Sequence, residues 1–124
     1  MLYFPGGLRS YLNMIQDPSV VLCDIPLNTM DITKEIITIS ESLPTSIDPV
    51  DFLERICIRM GVTRQTAELV YRWHNEPVST RRPLQTDGDV MQLFAENTRR
   101  KEKWRSGNKE VKICLDNLVS VLYV

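Results

Sequence analysis

Apolar and polar positions fall into two textures along this chain. In residues 1–32, Pro5, Gly6, Gly7, Pro18 and Pro26 interrupt every apolar run, and pairs such as Val20-Val21 stand isolated. These breaks predict a flexible N-terminal extension over residues 1–32, with one short strand at Val20–Ile25. From Thr33 onward the periodicities become regular. Lys34–Glu41 is rich in β-branched residues and sets Ile37 and Ile39 against Thr38 and Ser40, the two-residue alternation of a strand. Leu43–Ile47, broken by Pro44, predicts only a second short edge strand, because proline has no N–H to give to a ladder.

The period then changes. Asp48-Pro49-Val50-Asp51 offers a capping residue, a proline suited to the first helical position and a carboxylate for the first turn. Phe52, Leu53, Ile56 and Met60 recur at helical spacing, with Cys57 beside them, and Gly61 suits a left-handed cap. Glu68–Trp73 alternates again, placing Leu69, Tyr71 and Trp73 on one face, and His74–Pro77 ends it. A short strand follows at Arg81–Leu84. Thr86 with Asp89 three residues on forms a capping box, and Val90, Leu93 and Phe94 give the stripe of a second helix running to about Trp104. Glu110–Asp116 is the last strand, with Val111, Ile113 and Leu115 on one side, and residues 118–124 form an apolar tail that suits a fragment of a larger protein.

Charge sharpens the picture because its total conceals its distribution. Lys and Arg number 15 against 16 Asp and Glu, a formal charge of −1, which excludes bulk attraction to polyanions. Residues 83–96 nevertheless carry only Asp87, Asp89 and Glu96, a net −3, and residues 97–112 carry seven cations against two Glu, a net +5. The candidate partner-binding residues are therefore Asp87, Asp89 and Glu96 at the start of the second helix, for a basic partner, and Arg99, Arg100, Lys101, Lys103 and Arg105 at its end, for an acidic one. The plainer reading is that the same charges complement the helix dipole, each worth roughly 0.3–1 kcal/mol. Trp104 among the bases suggests an alternative, nucleic-acid binding through residues 99–105.

The order strand, short strand, helix, strand, short strand, helix, strand is that of an α+β, β-grasp domain, a mixed sheet curled over one main helix, with a second helix before the last strand. On the helix at Asp48–Met60, the strand Leu69–Trp73 and the segment Thr86-Asp87-Gly88-Asp89-Val90, residues 33–117 resemble the ubiquitin-like interaction domains, most closely the Phox/Bem type. The resemblance implies an acidic motif, completed by Glu96, that binds a basic partner. The chain has Thr86 where that motif carries another acid, and its first strand has only Lys34 where the partner-binding domains of that type carry a stronger basic cluster. A similar layout occurs in domains preceding transposase catalytic regions and in uncharacterised fungal proteins.

Signals for catalysis are thin. Cys23, Cys57 and Cys114 form no C-x-x-C pair, and Cys57 adjoins a buried stripe that would keep its thiol inert, although Cys57 or Cys114 with His74 as base has the residue types of thiol chemistry. One histidine makes no zinc site, Asp87 and Asp89 lack a third ligand, and no glycine-rich phosphate loop occurs. No cofactor is called for. No signal peptide or run of about 18 apolar residues is present, so the expected setting is intracellular, in cytoplasm or nucleus. The sequence thus predicts a non-catalytic protein–protein interaction module, capable of self-association, part of a larger protein, with no membrane or small-molecule partner.

Overall fold

Strands that bury alternate residues dry one face of a sheet and leave the other wet, and this rule sorts the chain. The computed structural model describes residues 17–30, 36–103 and 110–119. Its elements are β1 (Val20–Met30), β2 (Ile36–Pro44), α1 (Pro49–Met60), β3 (Leu69–Trp73), β4 (Arg82–Pro83), α2 (Asp87–Lys103) and β5 (Lys112–Asn117), with a short 3-10 turn at Val78–Thr80. The five strands form one mixed sheet in the order β2-β1-β5-β3-β4. β1 and β5 run parallel, and every other pairing is antiparallel. This is an α+β fold with a β-grasp-like layout.

Val21, Cys23, Ile25, Leu43, Leu69, Tyr71, Trp73, Ile113 and Leu115 face the helices and are buried. Against them lie Phe52, Leu53, Ile56, Cys57 and Met60 of α1 and Val90, Leu93 and Phe94 of α2. The two helices meet at Phe52 and Phe94, whose rings pack edge to face with centroids 5.0 Å apart. The opposite face is polar. There Lys112 pairs with Asp24 at 3.0 Å, Ser40 donates to Asp24 at 2.7 Å, and Arg81 pairs with Asp116 at 2.9 Å.

The helix signals hold. Pro49 opens α1, and Gly61 closes it at φ 79°, ψ 30°, its N–H donating to the Cys57 carbonyl at 2.9 Å. Asp48 occupies the cap position, yet its side chain makes no capping bond; its carbonyl accepts from Phe52 N instead.

The first two strands differ from those predicted. The short strand expected at Val20–Ile25 is present and longer, Val20–Met30, and it lies between β2 and β5, so residues 20–30 belong to the sheet and not to a loose extension. The strand predicted at 34–41 is the second one and continues through Leu43 and Pro44, and residues 45–47 are turn, so no separate edge strand follows. The reason is local. Val21, Cys23 and Ile25 alternate, but Pro18 and Pro26 flank them, and the sheet absorbs Pro26 by an irregular register between Pro26 and Met30. The last residues of the predicted apolar tail, 120–124, lie outside the described residues.

Because Ile25 is 0% exposed and Ile58 is 67% exposed, their truncations separate the two readings of the N-terminal region. Ile25→Ala is expected to cost about 3 kcal/mol in urea unfolding, and Ile58→Ala less than about 0.5 kcal/mol. Equal small effects would return residues 20–30 to a loose extension.

Candidate interaction surface on the second helix

The start of α2 is fixed by its own chain. Thr86 Oγ1 accepts from Asp89 N at 3.1 Å, and Asp89 Oδ2 accepts from Thr86 N at 3.0 Å and Gln85 N at 2.8 Å, a reciprocal capping box with one extra donor. The Gln85 N–H, more than any other group, holds the Asp89 carboxyl below the usual carboxylate range. Of the two acids singled out in this turn, Asp89 is therefore occupied within the chain and Asp87 is exposed.

The basic end divides in the same way. Glu96 accepts from Arg99 Nε at 2.9 Å and Nη2 at 2.6 Å, and from Arg100 Nε at 2.8 Å. Those bonds, Arg99's first, hold Glu96 down at about 2. Arg100 turns inward: its guanidinium lies 4.5 Å from the Trp73 ring centroid and 3.8 Å from Glu76. Glu76 in turn binds Arg82 through both carboxylate oxygens, at 2.8 and 3.1 Å. A ladder of alternating charge thus runs from Arg99 through Glu96, Arg100 and Glu76 to Arg82, and it ties α2 to the turn after β3. Glu76 and Arg82 carry no sequence signal for this role, since they meet Arg100 only through the fold.

Lys101 is the largest departure from the picture of a docking cation. It is 2% exposed, and its Nζ donates to the Asp17 carbonyl at 2.7 Å and the Val20 carbonyl at 2.5 Å. Asn97, one turn earlier and fully buried, donates to Val20 O at 3.0 Å and Pro18 O at 3.4 Å. Together they hold the lead-in to β1. Burial, the dominant cause, pulls the Lys101 amine down to about 8. Lys103 is exposed, whereas Trp104 and Arg105 lie outside the described residues.

Asp87, Met91, Ala95, Arg99 and Lys103 follow one another along α2 at four-residue spacing, each exposed, in a strip that winds about 40° per step around the helix, with Gln92 and Glu102 exposed beside it. Met91 is 57% exposed between the acidic and basic ends. The strip spans about 24 Å at the helical rise of roughly 1.5 Å per residue.

The thiols and the histidine sit apart from this surface. Burial raises the Cys23, Cys57 and Cys114 thiols, away from the thiolate form, and His74 is an exposed turn residue whose N–H donates to the Lys112 carbonyl at 2.9 Å. Among the described residues, no group of three or more His, Cys, Asp or Glu is placed to hold a metal ion, and no helix is long and apolar enough to cross a membrane. In comparisons with protein-family models, curated proteins and solved structures, none matches this chain.

The buried amine gives a test with a definite sign. Unfolded, Lys101 keeps its proton up to about 10.5, and folded only to about 8, so its contribution favours the folded state increasingly as pH rises through that interval. The raised thiols act in the opposite direction, and because the Cys23 thiol senses the Lys101 charge, Cys23 is replaced by alanine in both proteins compared, one keeping Lys101 and one carrying Lys101→Met. In urea unfolding, the stability difference between the two proteins should therefore move in favour of the one keeping Lys101 from pH about 8 to about 10, by at most about 1.4 kcal/mol per pH unit. A difference that stays constant would place the amine in solvent.

Proposed function

We propose that this chain is a non-catalytic protein–protein interaction module that docks through the outward strip of α2. The observation that carries the reading is the separation on one helix: Asp89, Arg100 and Lys101 are bound within the chain and wholly or partly buried, and Asp87, Met91, Ala95, Arg99 and Lys103 are exposed, Arg99 while paired with Glu96. An exposed apolar side chain between opposite charges suits a protein partner of reversed polarity, with charge setting register and approach. A second copy meets that requirement, because two such strips laid antiparallel bring Asp87 of one copy towards the basic end of the other, a self-complementary contact.

The resemblance to Phox/Bem-type domains supports the same class of function, with a difference in detail: Asp89 is occupied as a cap, which leaves Asp87 and the outward bases for the partner. Nucleic-acid binding gains less support. Two of the cations it calls on, Arg100 and Lys101, point inward, leaving Arg99 and Lys103 among the described residues to meet phosphate.

Light scattering of the purified chain at low and moderate salt tests this reading. Asp87→Lys and Arg99→Glu should each weaken association by about tenfold or less, the range of a partly screened surface pair, and the double reversal should restore it. Association that ignores both salt and the substitutions, or a chain monomeric at every concentration, removes the strip as a self-docking surface.

A further inference from the structure

The two edges of the sheet are built differently. β4 is two residues long, Arg82–Pro83, and its proline has no N–H to offer a further strand, which blunts that edge. β2 is nine residues long, Ile36–Pro44, and among the described residues only β1 pairs with it. From Ile37 to Leu43 it carries no proline, lysine or arginine, and its one charged residue, Glu41, is tied to Arg59 of α1.

The register fixes which backbone groups this edge presents. Thr45 N donates to the Ser19 carbonyl at 2.9 Å, one step beyond the Val20–Pro44 pair, so Leu43, Glu41 and Ile39 turn their N–H and C=O groups towards β1. The residues between them turn theirs outward. Both prolines agree, since Pro26 and Pro44 stand where the backbone nitrogen points away from the β1–β2 ladder and a missing N–H leaves no gap in it. Thr38, Ser40 and Ser42 therefore present three N–H and three C=O groups in one row centred on Ser40. Their side chains are short, uncharged and exposed. On the helix side of the same strand Leu43 is buried, Ile39 packs against the core and Ile37 is 37% exposed.

We propose that β2 pairs antiparallel with β2 of a second copy about a two-fold axis at Ser40, joining two five-stranded sheets into one. Thr38 then stands opposite Ser42 of the second copy and Ser40 opposite its own counterpart, so the three outward residues of each copy exchange six backbone hydrogen bonds. A second copy is the fitting occupant because the row reads the same from either end and offers every donor an acceptor. Side chains set the register. Ile37 meets Leu43 and Ile39 meets Glu41 on the helix side, while Thr–Ser and Ser–Ser neighbours line the polar side. A two-residue slip one way sets Glu41 against Glu41, and the opposite slip runs into the irregular pairing between Pro26 and Met30 at the Ile36 end. This contact goes beyond the strip on α2 and uses a different surface of the chain. One strand per copy buries less than the roughly 1,200 Å2 of a standard interface, so the dimer forms only as concentration rises.

Amide hydrogen exchange of the full chain, followed by NMR from about 10 μM to about 1 mM, tests the pairing. The Thr38, Ser40 and Ser42 amides should slow by up to about tenfold across that range, as the monomer fraction falls with the square root of concentration. Those of Ile39, Glu41 and Leu43, bonded to β1, should be slow throughout. Ser40→Pro removes two of the six bonds without touching the β1 ladder and should weaken association by at least about tenfold. Thr38→Lys with Ser42→Lys sets like charges opposite each other and should abolish the concentration dependence, whereas Thr38→Lys with Ser42→Glu sets opposite charges together and should keep it. Outward amides that are fast at every concentration, outward amides already slow when dilute, or equal behaviour of the two double variants would each overturn the proposal. Asp87→Lys should leave the exchange pattern unchanged. Association that responds to Asp87→Lys without slowing Ser40 would remove the β2 contact and leave the α2 strip standing.

Discussion

The parallel pairing of β1 with β5, Leu22–Asp24 against Lys112–Cys114, governs the arrangement of the rest. Two parallel neighbours cannot be joined by a tight turn, and here the intervening chain includes both helices and three strands. Since the two strands start at the same end of the sheet, α2 must deliver the chain back to the beginning of β1 before β5 can start. Its last turns therefore lie over residues 17–20. The bonds from Asn97 and Lys101 to the carbonyls of Asp17, Pro18 and Val20 satisfy that geometry chemically, closing backbone groups before and at the first residue of β1.

That constraint also decides what the charges can do. A helix with acids at its start and bases at its end complements its own dipole, but the pattern is richer than dipole complement alone. On the inner side, Asp89 closes the first turn, Arg100 covers Trp73 and joins Glu76, and Lys101 reaches buried carbonyls. On the outer side, Asp87, Arg99 and Lys103 keep the opposite polarities in solvent around Met91 and Ala95. The near-neutral total of the chain thus combines a set of pairs on the inner side, which contributes to folding, and an exposed set, of which Arg99 is itself paired with Glu96.

Much of the fold was legible because its signals are local. The proline start and glycine end of α1, the Thr86–Asp89 box and the alternation of Leu69, Tyr71 and Trp73 each need only a few adjacent residues. The first half of β1, Val20–Ile25, was legible, but its extension to Met30 and its place inside the sheet were not, because Pro26 breaks the pattern and parallel pairing depends on a partner some ninety residues away, a separation that follows directly from the register Leu22 with Lys112. The charge segregation along α2 was also legible. Which bases face inward was not: Arg100 and Lys101 follow Arg99 without a break, and only the helix phase relative to Trp73 and Val20 sorts them. Glu76 reaches the site from the turn after β3 and Arg82 from β4, and no spacing rule links either to α2.

The division of one basic run into internal and external cations is the central claim, and amine acylation of the native chain tests it most directly. Under brief labelling near neutral pH, Lys103 is predicted to react at the rate of an exposed lysine and Lys101 at least about tenfold more slowly, its amine enclosed and bonded to two carbonyls. On association Lys103 alone should slow further. Equal labelling of Lys101 and Lys103 in the folded chain would contradict the account.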